Sequence, residues 1–133
     1  MIYENDLIYI EKEEAQVPWI KIFTKQVYKE FSDCPYELQK EIFDKILRCE
    51  KAMIEFYKPE KINIASFANY VPRVHFHIMA RFKEDAFFPE CMWGKQQREL
   101  KDLNLPSFDE FVIFLKNKIL MVDCFLFIRI LFT

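Results

Sequence analysis

The chain has 133 residues, enough for one domain with no obvious linker, and its 21 acidic and 19 basic residues leave a net charge of −2. That balance argues against a protein that grips a nucleic-acid backbone, which needs a strong basic excess. Fifteen phenylalanines within a 17% aromatic share give a small core a large apolar payload, so the sequence reads as a folded protein acting on something small.

Cys34, Cys49, Cys91 and Cys124 are too far apart to form a paired metal-ligand spacing, and no signal peptide opens the sequence. The expectation is a reducing, cytoplasmic setting. A single glycine, Gly94, excludes both the P-loop and the dinucleotide fingerprint, which need several glycines for backbone amides to approach phosphate. Any phosphate must be held by side chains.

In chain order, Leu7–Ile10 and Trp19–Phe23 are rich in isoleucine and aromatics. They are parted by the charged run Glu11–Glu14 and by Pro18, which predicts two strands with an exposed connection. Pro35 suits a first helical turn, and Leu38, Ile42, Ile46, Cys49, Met53 and Phe56 recur at helical steps as far as Pro59. The opposite face, with Glu41, Asp44, Lys45, Arg48 and their neighbours, reads as a solvated mixed-charge surface. Lys61–Phe67 reads as a strand that passes through a short Ala68–Tyr70 turn into a second strand, Val71–Phe82.

This last stretch holds both histidines in strict alternation. Arg73, His75, His77 and Met79 fall on one face and Val74, Phe76, Ile78 and Ala80 on the other, with same-face neighbours about 7 Å apart. After it come a Phe- and Pro-containing loop, Asp85–Trp93, and a second helix opened by Ser107 and Glu110 at capping-box spacing. The run 119–133 is apolar apart from Asp123 and Arg129, and falls short of the roughly twenty residues that cross a bilayer. The element order predicts an α+β fold: an antiparallel sheet of about five strands, one long helix on a face and a shorter C-terminal helix. The domain is expected over 1–117, with 118–133 an apolar tail of open role.

Three chemistries suit the histidine row. The imidazoles are hydrogen-bonded surface groups, or they chelate a metal, or they attack phosphorus. A stable zinc site needs a third ligand that the sequence does not place, so no metal and no cofactor is expected. An imidazole nitrogen, unprotonated at neutral pH, is a competent nucleophile without prior deprotonation.

The segment Arg73-Val74-His75-Phe76-His77-Ile78-Met79 resembles the signature of the histidine triad family of nucleotide hydrolases and transferases, with Arg73 at the first histidine position. Lys61–Ser66, Phe67–Pro72, Arg81–Asp85, Phe88-Pro89 and Met92-Trp93 look like one bacterial branch of it, active on dinucleoside polyphosphates. The resemblance implies His75 as nucleophile and His77 as a contact to the phosphate and the leaving oxygen. It implies Asn63 and Asn69 as phosphate contacts, Arg73 beside them, and Ile8 and Ile22 at the base, although for the isoleucines core packing is the simpler reading. It further implies a small nucleotide as partner and a homodimer, while the net charge and the length of the apolar run lead to the expectation of no nucleic acid and no membrane. Because arginine is never a neutral acceptor, a catalytically impaired nucleotide-binding protein is the alternative.

Overall fold

A computed structural model describes residues 1–132 of the chain, and the side chains of 122–128 fall outside that description. Five strands form one antiparallel sheet: β1 (Tyr3–Glu4), β2 (Ile8–Lys12), β3 (Trp19–Thr24), β4 (Lys61–Ala65) and β5 (His75–Arg81). Their order across the sheet is β1-β2-β3-β5-β4, which puts the histidine strand one place in from an edge. Helix α1 (Tyr36–Tyr57) joins β3 to β4, and α2 (Phe108–Leu131) closes the chain. The α+β architecture is the expected one.

Period-2 alternation gives the sheet two unlike faces. Ile8, Ile10, Ile20, Ile22, Ile62, Ile78 and Ala80 make the apolar face and are buried against Leu38, Ile42, Ile46, Cys49 and Met53 of α1. Pro35 stands immediately before α1, and the helix ends where Lys58 turns left-handed (φ 50°), its N–H bonding back to the Ile54 carbonyl. Lys45 corrects the solvated-face reading. It is 5% exposed, its Nζ lies 2.7 Å from Glu41 and 3.1 Å from Asp44, and it approaches the Tyr3 ring at 5.9 Å. Its carboxylate partners and its aliphatic stem let it lie inward.

Two further boundaries differ from expectation. Strand β5 starts at His75 rather than Val71, and the connection from β4 is the loop 66–74, not a short turn. Pro72 lacks an N–H and so cannot serve a ladder position there. The Ser66 hydroxyl closes the base of the loop by donating to the His75 carbonyl at 2.6 Å. Residues 118–131 are not a separate tail but continue α2 without a break. Neither glycine nor proline occurs between Phe108 and Leu131, so nothing in the backbone stops the helix. Among the described residues its packed part is short: Phe111, Leu115 and Ile119 reach the core, while Leu120, Met121, Ile130 and Leu131 are exposed. Among those same residues no helix is long and apolar enough to cross a membrane. Cys34, Cys49 and Cys91 are free thiols.

Candidate functional site

The face of the sheet turned away from α1 carries the histidines. Cross-strand partners point the same way, so the pairs Phe23–His75, Lys21–His77 and Trp19–Met79 gather on this face, joined by Tyr9 opposite Phe23 and by Asn63 opposite Met79. Tyr9 and Phe23 stack at 5.1 Å and 7°, and Phe23 and His75 at 4.8 Å and 15°, a column of rings laid across three strands. His75 and His77 stand edge to face at 4.9 Å, and each is 7% exposed.

Hydrogen bonds give the two imidazoles opposite tautomers. His75 Nδ1 lies 2.8 Å from the Arg73 main-chain carbonyl, which can only accept, so Nδ1 carries the proton and the Nε2 lone pair is free. His77 Nδ1 lies 3.0 Å from the Trp19 indole N–H, which can only donate, so Nδ1 is the acceptor and the proton sits on Nε2. One ring offers a lone pair and its neighbour an N–H. Burial, with His75 and Lys21 adding to it against a smaller upward pull from Glu13, lowers the His77 pKa to about 4. His77 therefore remains a neutral donor through the physiological range. Lys21 is itself held by Glu13 at 2.7 Å and Glu11 at 3.7 Å.

Trp19→Phe deletes the N–H that stabilises neutral His77 and leaves most of the packing. One net hydrogen bond corresponds to about one pKa unit, so the His77 pKa is expected to rise by about that much. NMR titration of the His77 ring checks this, and an unmoved midpoint would remove the indole from the account.

Arg73 lies half-buried beside the column. Its Nη2 donates to the Thr24 carbonyl, and its guanidinium sits 5.4 Å from the Phe23 ring centre and 5.8 Å from that of Tyr9. Its Nε is, among the described residues, a buried side-chain nitrogen without a hydrogen-bond partner. A donor buried and unmet beside His75 suits an anionic oxygen.

Asn63 lies on the histidine face, with its Oδ1 accepting from Arg81 Nη1 at 2.7 Å. Asn69 is exposed in the loop 66–74, away from the strand positions. Ile8 and Ile22, at 0% and 1% exposure, are in the core beneath the sheet, on the opposite face from His75. They cannot line a pocket there, because each alternates with a residue of the histidine face: Tyr9 after Ile8, and Phe23 after Ile22. The rings of Tyr9 and Phe23, not the isoleucines, stand on the histidine face.

One buried assembly has no counterpart in the sequence reading. Arg81, 1% exposed, forms a two-pronged pair with Asp85, Nε to Oδ2 and Nη2 to Oδ1, both at 3.0 Å, and Nη2 also reaches the Glu90 carbonyl at 2.7 Å. Asp85 further accepts the backbone N–H groups of Phe82, Phe87 and Phe88 at 2.8–3.0 Å. This pins the loop after β5 so that Trp93 comes within 4.9 Å of the His77 ring. The signal available in sequence was an arginine four residues before an aspartate at a strand end. Among the described residues no group of three His, Cys, Asp or Glu side chains is gathered to hold a metal.

A His-x-His strand on the uncovered face of a five-stranded antiparallel sheet is the arrangement of the histidine triad proteins. The structure is similar to one such protein from Bradyrhizobium japonicum, with a TM-score of 0.73 and 29% identity over 88% of this chain and 87% of that one. Histidine triad proteins from Marinobacter aquaeolei VT8 (TM-score 0.67, 24% identity, 88% and 82% covered) and Sinorhizobium meliloti 1021 (0.69, 22%, 88% and 87%) share the fold. The model of the HIT domain matches residues 1–84, and the chain belongs to that family. Its members generally bind or hydrolyse nucleotides. No curated protein matches the sequence.

Proposed function

We propose that the protein cleaves a phosphoanhydride or phosphoramidate bond of an adenine nucleotide, with dinucleoside polyphosphates as the leading substrates, through a covalent nucleotidyl group on His75. The observation that carries this reading is the opposed tautomers of the two histidines. The free Nε2 lone pair of His75 forms a bond to phosphorus. The bridging bond to the leaving group breaks, its electron pair departs on the oxygen, or on a phosphoramidate nitrogen that has already taken a proton from solvent, and the His77 Nε2–H hydrogen-bonds to that atom. The positive charge arising on the His75 ring is met through Nδ1–H by the Arg73 carbonyl, a contact that strengthens as the bond forms. Water then attacks phosphorus and returns the electron pair to Nε2. His77 does not act as an acid in this scheme, since an imidazole whose other nitrogen is occupied by the Trp19 N–H has no second proton to give.

A second reading, a nucleotide binder that has lost turnover, is favoured by Arg73, which occupies the first position of the triad pattern with a permanent charge and an unmet Nε–H. The orientation of His75 depends on the main-chain carbonyl of residue 73 and not on its side chain, which supports retained turnover. The test is incubation with a panel of adenine mononucleotides, phosphoramidates and dinucleoside polyphosphates, following both binding and product. Turnover is expected, and Arg73→His should raise KM about tenfold through loss of a charged hydrogen bond while kcat changes less. Binding without product in the natural protein, with product from Arg73→His, would establish the binder instead.

A further inference from the structure

The wall beyond His77 has no part in the chemistry above. The Trp93 ring meets Phe67 at 4.5 Å and 69°, His77 at 4.9 Å and 80°, and Trp19 at 5.1 Å and 81°, all edge contacts. Trp93 and Phe67 are nevertheless 44% and 46% exposed, a large apolar area to leave in water on side chains so firmly located. Trp93 also lines a cavity over β4 and β5 with Asn63, Ala65, Met79, Pro89 and Cys91. An arginine nitrogen can only donate, so the Asn63 atom facing Arg81 is its oxygen, and its amide N–H groups are left for whatever enters the cavity. A flat apolar wall with a few fixed donors is the composition of a site for an aromatic heterocycle.

The side on which this wall stands gives it a role. The His77 Nε2–H directs the departing atom toward its own end of the row, where Trp19, Phe67 and Trp93 gather, while Arg73, Phe23 and Tyr9 flank His75. We propose that Trp93 and Phe67, with the Asn63 amide, bind the base of the departing half of the substrate, so that the preferred leaving group is a nucleoside phosphate rather than ammonia or inorganic phosphate. This deepens the nucleotide reading and rests on it.

The experiment compares the natural protein with Trp93→Leu for affinity toward AMP and toward a diadenosine polyphosphate whose bridging oxygens are replaced by methylenes, measured by calorimetry. Loss of one stacked base weakens binding by on the order of tenfold or more, so Trp93→Leu is expected to lose about that factor for the dinucleotide and less than about threefold for AMP. Trp93→Phe, which keeps a flat ring, should recover most of the difference. Phe67→Ala probes the same wall without altering the pinned loop and should also reduce the preference for the dinucleotide. Equal losses for the two ligands, or undiminished dinucleotide affinity in both Trp93→Leu and Phe67→Ala, would overturn the assignment while leaving the nucleotide reading intact. A natural protein that binds neither ligand would instead remove that reading, and this inference with it.

Discussion

Replacing His75 with alanine is expected to abolish turnover, by on the order of 10⁴-fold or more as for other covalent catalysts. The reason lies in how little else on the histidine face can attack phosphorus. His77 is the neighbouring imidazole, yet its Nδ1 lone pair is taken by the Trp19 indole and its Nε2 carries a proton, so it cannot substitute. The Asn63 amide and the Arg73 guanidinium are not nucleophiles, and the Lys21 ammonium is engaged by Glu13. The fold should survive, because the lost ring lies on the sheet face away from α1 and the apolar core is untouched. His77→Ala should cost less, about 10²–10³-fold, the usual consequence of losing one preorganised donor. Initial rates on the best substrate, with circular dichroism as a check of folding, decide the matter. An active His75→Ala protein would end the covalent mechanism.

The largest expected loss of stability comes from Asp85→Ala. Burial alone would raise the Asp85 pKa, but the Arg81 hydrogen bonds and the Phe82, Phe87 and Phe88 amides overcome it and hold the carboxyl below its usual value. Removing it strands Arg81, 1% exposed, as an uncompensated buried charge and frees three backbone donors. Breaking a buried pair from one side costs about 3–5 kcal/mol, a large share of the 5–15 kcal/mol by which domains are typically stable. Urea denaturation midpoints measure it, and a loss under about 1 kcal/mol would show the pair to be dispensable. The pH dependence has a definite sign. A carboxyl with a lowered folded-state pKa contributes stability that is present above its unfolded value near 4 and is lost as the pH falls below that value through the folded one. Acid should therefore loosen the loop that holds Trp93.

Much of this was readable from residues alone, and the exceptions have a common cause. Alternation through Arg73–Arg81 put both histidines on one face, and three- and four-residue spacing placed a helix between Pro35 and Pro59 where α1 runs from Tyr36 to Tyr57. Both are local periodicities. What was not legible was the meeting of distant segments. Ile8 and Ile22 alternate with Tyr9 and Phe23, and only the position of α1 decides which set faces the core. The Trp19–His77 bond spans 58 residues and depends on the β3–β5 register, which no local pattern encodes. Lys45 looks solvated until Glu41, one turn earlier, is seen to accompany it inward. Asp123 and Arg129 looked like interruptions, yet a charged residue does not break a helix as glycine or proline does.

The column of rings through Tyr9, Phe23 and His75 also bears on how the molecule comes together. The first two belong to neighbouring strands that can pair as a local hairpin. The third arrives only after α1 and β4 have been threaded between, and its pairing with β3 closes a far longer loop. Contacts of such sequence separation are entropically costly to form and govern folding speed in sheet proteins. The histidine face is thus a property of the completed topology: a nascent chain stopped short of β5 holds two of the three rings of the column and neither histidine.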